Sequence, residues 1–183
     1  MTGLRVVRVD KIIKIIMGKI DSESLSEWYD AYSDGLMLYA RNWLGEEAAC
    51  DSVQVAFTRL MGQVVSPRDV KAWLFRTVRN EAITQLRQRS RRSRHSERLS
   101  IEYRGWFEST PEDLIDARTA EEILLTLPHE QSEVVLLRIW GQLTLKQIAS
   151  VVGSPLTTIH SRYKTALANI KERMQRSCRT TTD

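Results

Sequence analysis

The chain has almost no cysteine: Cys50 and Cys178 are the only two among 183 residues. Two thiols so far apart make neither a disulfide framework nor a metal site of short ligand spacing, and they fit a reducing compartment. The expected location is therefore the cytoplasm. Long apolar runs are missing too. The stretch 12–20 is broken by Lys14 and Lys19, is followed by no small-residue cleavage pattern, and is too short to span a bilayer. Neither secretion nor membrane insertion is expected. No phosphate-cradling glycine loop, His/Cys cluster at metal spacing or nucleophile motif occurs, which points away from an enzyme, a metal, a cofactor or a small-molecule substrate. Sustained period-two alternation and internal repeats are absent as well, so the pattern calls for no strands.

What is present is enough apolar content, 42%, to build packed cores. The net charge is only +4, but the basic residues are bunched and the acidic ones lie mostly elsewhere. That distribution marks a localised polyanion-binding face, and nucleic acid is the first candidate.

Helical periodicity begins near Ser24, which forms a capping-box signature with Glu27, and Leu25, Trp28, Tyr32, Leu36 and Tyr39 follow at helical spacing to a stop at Gly45. A second helix is expected over 46–61. After a loop from Gly62 to Pro67, Ser66 and Pro67 suit an N-cap and first helical position. The long helix that follows carries Val70, Leu74, Val78, Ala82 and Leu86 on one face, to pack on the first two helices. From Arg87 to His95 no apolar face remains, and 108–122 turns acidic around Pro111. Three more helix starts follow: Pro128, Thr144 with Gln147 as a capping box, and Ser154 with Pro155, with Gly141 and Gly153 at helix ends. The fold class is all-α, with two small helical domains joined by a flexible linker. The boundaries are an extension of unknown role at 1–23, a first domain at 24–95, a linker at 96–115, a second domain at 116–176 and a tail at 177–183.

Residues 144–162 read as a short helix, a glycine turn and a longer helix, which is helix-turn-helix grammar. On the longer helix Leu156, Ile159, Tyr163, Ala166 and Ile170 share one face. Thr157, Thr158, His160, Ser161 and Lys164 point away from it, with Arg162 on the flank. Hydroxyls and an imidazole reach base edges in a major groove, while the cations and the helix N-terminus hold phosphates. An amphipathic bundle helix with a solvated face is the plainer alternative.

On the long helix of the first domain, Arg76, Asn80, Thr84 and Arg87 recur about one turn apart opposite the apolar face, with Trp73 at the start of the stripe and Arg79 on its flank. Cations that hold a backbone beside a flat ring and an amide suit single-stranded or melted DNA. Trp73 could equally be core, and Arg79 ordinary surface. The run that continues through Arg91 is either solvated or an extension of the same contact.

Two such modules in this order resemble the extracytoplasmic-function group of bacterial sigma factors, which keep only regions two and four of that family. The resemblance covers about 25–174. In region two it is carried by Asp51-Ser52-Val53-Gln54 with Phe57, and by Ala72-Trp73-Leu74-Phe75-Arg76-Thr77-Val78-Arg79-Asn80-Glu81-Ala82-Ile83. In region four it is carried by Leu127-Pro128, Gln147-Ile148-Ala149, Val152-Gly153 and Thr158-Ile159-His160-Ser161-Arg162 with Ala166. Cys50, Val55-Ala56, Thr84 and Thr157 depart from the usual pattern. The resemblance implies the following roles. Asp51 and Gln54 face the coiled coil of the polymerase β′ subunit within a core that includes β. Trp73, Arg76, Arg79, Asn80, Thr84, Arg87 and Arg91, with the Gln63 to Pro67 loop, engage the melted minus-10 element of promoter DNA. Thr157, Thr158, His160, Ser161, Arg162 and Lys164 read the minus-35 element. The linker threads toward the active-site channel, and an anti-sigma factor is an expected partner. A stand-alone helix-turn-helix regulator is the competing reading, and it leaves Asp51, Gln54 and the Trp73 to Arg87 stripe without a purpose.

Overall fold

The computed structural model describes residues 20–93, 124 and 126–180. The expected linker at 96–115 and nearly all of the 1–23 extension lie outside the described residues, as do 116–123 and 181–183. The described part is helical throughout, with no strand.

Helix α1 (Ser22–Arg41) starts three residues earlier than its capping-box signature at Ser24 indicates. The Asp21 carboxylate accepts from the Ser24 backbone N–H at 2.8 Å and from its hydroxyl at 3.0 Å, so Asp21 is the cap and Ser24 a donor in the first turn. These hydrogen bonds, the backbone one foremost, hold the Asp21 carboxyl below its ordinary range. The helix stops at Arg41 rather than at Gly45, which instead caps α2 (Glu46–Met61). Helix α3 (Val70–Ser93) begins later than Ser66-Pro67 would have it. Its cap is Asp69, whose Oδ1 accepts from the Ala72 N–H at 3.0 Å, because the side chain of Asp69 can reach back to an unpaired first-turn donor.

These three helices bury Leu36, Tyr39 and Ala40 of α1, Ala49, Val53, Phe57 and Leu60 of α2, and Leu74, Phe75, Val78 and Ala82 of α3. Val70 and Leu86 pack at the margin. The apolar stripe expected on α3 therefore does face the first two helices. An exposed ion pair ties α2 to α3, Arg59 to Glu81 at 2.8 Å.

The second unit contains α4 (His129–Ile139), α5 (Leu145–Val152) and α6 (Leu156–Thr180). Helix α5 carries the expected capping box, with Thr144 and Gln147 satisfying each other's backbone donors. It ends at Gly153, whose φ of 73° is left-handed and suits glycine. The turn after α4 differs from expectation. The left-handed residue there is Gln142, φ 47°, and Gly141 is required for a different reason. A Cβ at position 141 would stand 2.6 Å from the Leu137 carbonyl oxygen. Ile159 and Ala166 of α6 are buried, and Tyr163 and Ile170 partly so, but Leu156 is half exposed. It sits at the first position of the helix.

Helix α4 is buried over six consecutive residues, Ser132 through Leu137. A surface helix shows one apolar stripe, so such a run needs neighbours on more than one side. It has them: α5 and α6 on one flank and α1 of the first unit on the other. The two units thus pack on each other, and α3 lies against α5.

Candidate nucleic-acid interface

Helices α5 and α6 with the Gly153 turn between them form the expected helix-turn-helix. Ile148 and Val151 anchor α5, and Ile159 and Ala166 anchor α6 from below, which leaves the opposite face of α6 to solvent. Thr157, His160, Ser161 and Lys164 are exposed and Thr158 is partly so. Arg162 is turned from this face: its guanidinium pairs with the Glu130 carboxylate at 2.6 Å and its side chain is 23% exposed. The structure therefore brings five of the six expected minus-35 residues together, and gives the sixth a partner on α4.

In the first unit Asp51 and Gln54 are exposed one turn apart on the outer face of α2, opposite Val53 and Phe57. The Gln54 amide lies 3.6 Å from the Cys50 sulfur. The 63–67 loop presents Val64 and Val65 to solvent at 59% and 76% exposure, an apolar patch at the start of the α3 stripe.

The expected minus-10 stripe divides into two parts. Asn80, Thr84 and Arg87 are exposed on the outer half of α3. The Thr84 hydroxyl donates to the Asn80 carbonyl at 2.7 Å, so its donor is spent on its own helix. The side chain of Arg91 lies outside the described residues. Trp73, Arg76 and Arg79, on the inner half, meet the second unit, Trp73 and Arg79 partly buried there and Arg76 still exposed. The Arg76 guanidinium donates to the Ser150 carbonyl and hydroxyl on α5. Trp73 and Arg76 line a cleft of about 460 Å³ whose other wall is Lys146, Gln147 and Ser150. Arg79 Nε donates to Glu133 Oε1 of α4 at 2.8 Å.

Glu133 is a buried carboxylate between the two units that sequence reading did not single out. It is 2% exposed and receives a second hydrogen bond, 2.7 Å, from the hydroxyl of the buried Tyr39. Burial, then the neighbouring Glu133 carboxylate, pushes the Tyr39 phenol well above its ordinary range, so it stays a donor. Burial alone would lower the Arg79 guanidinium, but the hydrogen bond and charge of Glu133 outweigh it and raise the group. Arg79 also lies 5.7 Å over the Trp43 ring, and Trp43 in turn meets the His129 ring edge-on at 4.0 Å. A signal for Glu133 did exist: it adjoins the apolar run 134–137 and shares a face with Leu137. Its partners, 54 and 94 residues away, are not legible in the local pattern.

Among the described residues, no group of three or more His, Cys, Asp or Glu is placed to hold a metal, and no helix is long and apolar enough to cross a membrane.

Comparison with known proteins agrees with this geometry. Residues 28–92 match the family model for sigma-70 region 2, and residues 123–172 match that for sigma-70 region 4. No curated protein matches the chain in sequence. Among solved structures the chain is similar to the sigma factor RpoE from Bartonella quintana, in a co-crystal with the anti-sigma factor NepR. The identity is 22%, with 82% of this chain and 95% of that one covered, and the TM-score is 0.59. It is also similar to CnrH in complex with the cytosolic domain of CnrY, at 18% identity, with 89% and 96% covered and a TM-score of 0.57. With both regions matched in the order and at the places where the two helical units stand, the chain belongs to the sigma-70 family and is a sigma factor built of regions two and four, not a stand-alone regulator.

Proposed function

We propose that this chain docks on core RNA polymerase, on β′ and β, through the Asp51 and Gln54 face of α2, and carries the enzyme to promoters read at two places. Helix α6 reads the minus-35 element through Thr157, Thr158, His160, Ser161 and Lys164, with Arg162 available to a phosphate once it leaves Glu130. Helix α3 and the 63–67 loop hold the melted minus-10 strand. Asn80 and Arg87 supply an amide and a cation, Trp73, Arg76 and Arg79 extend the surface inward, Thr84 and Arg91 extend it along the helix, and Val64 and Val65 offer apolar contact to an unstacked base. The observation that carries this reading is one chain with two outward faces of different chemistry. One is a helix-turn-helix with small polar and basic residues suited to a duplex groove, and the other is an α3 stripe suited to a single strand. The chain acts by binding rather than by catalysis, in the cytoplasm where polymerase works. The RpoE structure is the basis for including an anti-sigma protein among its partners.

The test is core binding. Wild-type chain is expected to bind purified bacterial core polymerase, and Asp51→Lys with Gln54→Ala to weaken that binding by about tenfold or more, since central interface residues each contribute about 1–2 kcal/mol or more. Absence of core binding by the wild-type chain, or equal binding by the double variant, contradicts the docking face.

A further inference from the structure

We propose that a row of polar contacts between α6 and the start of α4 sets the angle at which the recognition helix enters the groove. Gln131, Asn169 and Arg173, with the Glu130–Arg162 pair, are then positioning residues for reading the minus-35 element. This rests on the reading of α6 as the minus-35 helix.

Arg162, Asn169 and Arg173 lie two and then one helical turn apart, so they share one flank of α6, on the side away from Thr157, His160, Ser161 and Lys164. Each meets a polar partner in the first turn of α4 or just before it. The Arg162 guanidinium pairs with Glu130 at 2.6 Å. The Asn169 amide donates to Gln131 Oε1 at 2.9 Å, a partly buried bond in the middle of the row. The Arg173 guanidinium donates to the Thr126 carbonyl at 3.2 Å. From Arg162 to Arg173 the row extends over about 16 Å of helix, so it restrains tilt as well as position.

The apolar seat beneath does not do this by itself. Ile159 and Ala166 are buried, but burial of apolar surface is non-directional, and Ala166 presents only a methyl group. These contacts hold α6 down without fixing how it is turned. Hydrogen bonds do prefer one geometry. Thr157 stands about 18 Å along the helix from Asn169, so a swing of about 5° about the middle contact moves the reading end by about 1.5 Å, half the length of a hydrogen bond. The long, flexible side chain of Lys164 can follow a phosphate through such a shift, whereas contacts of short side chains to base edges are lost. Loss of the row therefore blurs sequence discrimination more than it lowers affinity. It changes stability little, because exposed ion pairs and partly exposed amide pairs are individually weak. When Arg162 is drawn to a phosphate, Asn169 and Arg173 still hold the angle.

The experiment uses polymerase carrying the full chain and a promoter fragment selected by the wild-type complex from a randomised duplex pool, compared with the same fragment after its upstream element is scrambled. Asn169→Leu, which keeps the bulk and removes the middle bond, is expected to lower the ratio of the two affinities by about fivefold or more, the worth of one base-edge contact. Binding to the scrambled fragment, the salt slope and the urea midpoint are expected to stay near wild type. Gln131→Asn combined with Asn169→Gln exchanges the two amides and is expected to restore the ratio. If Asn169→Leu fails to fold, Arg173→Met, which removes the end contact, is expected to lower the ratio in the same way. An unchanged ratio in the folded variant, equal loss on both fragments, or no recovery on exchanging the amides overturns the positioning role. His160→Ala on the same fragments reports separately on the reading beneath it: loss of preference there with an unchanged ratio in Asn169→Leu means that only the row is wrong. Selection of fragments with no shared upstream element overturns the minus-35 reading and the row with it.

Discussion

Replacing Lys164 and His160 on α6 separates two kinds of DNA contact whose energies respond differently to salt. Both side chains are exposed on a helix whose core anchors, Ile159 and Ala166, lie on the other face, so neither change should move stability by more than about 0.5 kcal/mol. If Lys164 holds a phosphate, Lys164→Ala removes about one released counterion, and the slope of log affinity against log salt becomes shallower by about 0.9. Between about 50 and 200 mM salt the advantage of wild type over the variant then shrinks about 3.5-fold. If His160 touches a base edge, His160→Ala costs about 1–3 kcal/mol on the cognate element and little on a scrambled one, with the salt slope unchanged. The assay is closed-complex formation by polymerase carrying each variant, titrated with salt on a promoter with and without its upstream element. Unchanged slope for Lys164→Ala together with unchanged discrimination for His160→Ala refutes α6 as the minus-35 reader.

Asn80→Ala is expected to slow promoter opening while leaving closed-complex formation near wild type, because its contact is to melted DNA; equal loss at both steps, read by permanganate footprinting and by band shift, counts against that role. Phe75, 1% exposed with its ring edge-on to Tyr39 at a centroid distance of 5.6 Å, is expected to cost about 3–5 kcal/mol when cut to alanine, measured as a loss in urea midpoint. Gly153→Ala meets no neighbour but forces a left-handed φ on a residue with a Cβ, and is expected to cost about 1–2 kcal/mol of stability. Burial, with Arg79 adding to it against Glu133 and Glu130, lowers the His129 imidazole below 6.5. The unfolded chain therefore binds a proton in the interval below pH 6.5 that the folded chain refuses, so stability falls as pH drops through that interval. His129→Gln is expected to flatten this slope in urea titrations made above and below pH 6.5; an unchanged slope rejects His129 as its source.

The helices themselves were largely legible from local chemistry. The span 46–61 and the Thr144/Gln147 capping box stand where their residue types put them, and the α3 core face follows from spacing alone. Helix starts misread in sequence share a cause: several polar residues near one another compete to cap. Asp21 wins over Ser24, and Asp69 over Ser66, because the carboxylate reaches the free N–H groups of the first turn. Gly141 looked like a left-handed stop but is demanded by close approach to Leu137, a distinction only coordinates carry. The two outward faces, at α6 and at Asn80 to Arg87, were legible because exposure follows helical period. The fate of Trp73, Arg76, Arg79 and Arg162 was not, since each is decided by partners in another element: the α5 wall of the cleft, Ser150, Glu133 and Glu130. Glu133 adjoins a legible apolar run, but its pairing with Tyr39 and Arg79, far away in the chain, is what the local pattern cannot announce.

The most direct test of the account is run-off transcription by bacterial core polymerase across a genomic promoter library, with and without this chain. The account predicts new, specific starts preceded by two shared elements at a fixed spacing, diminished by Asp51→Lys at the step of core binding and by Asn80→Ala at the step of opening. No new starts, with the chain binding duplex DNA by itself and ignoring core, would contradict it.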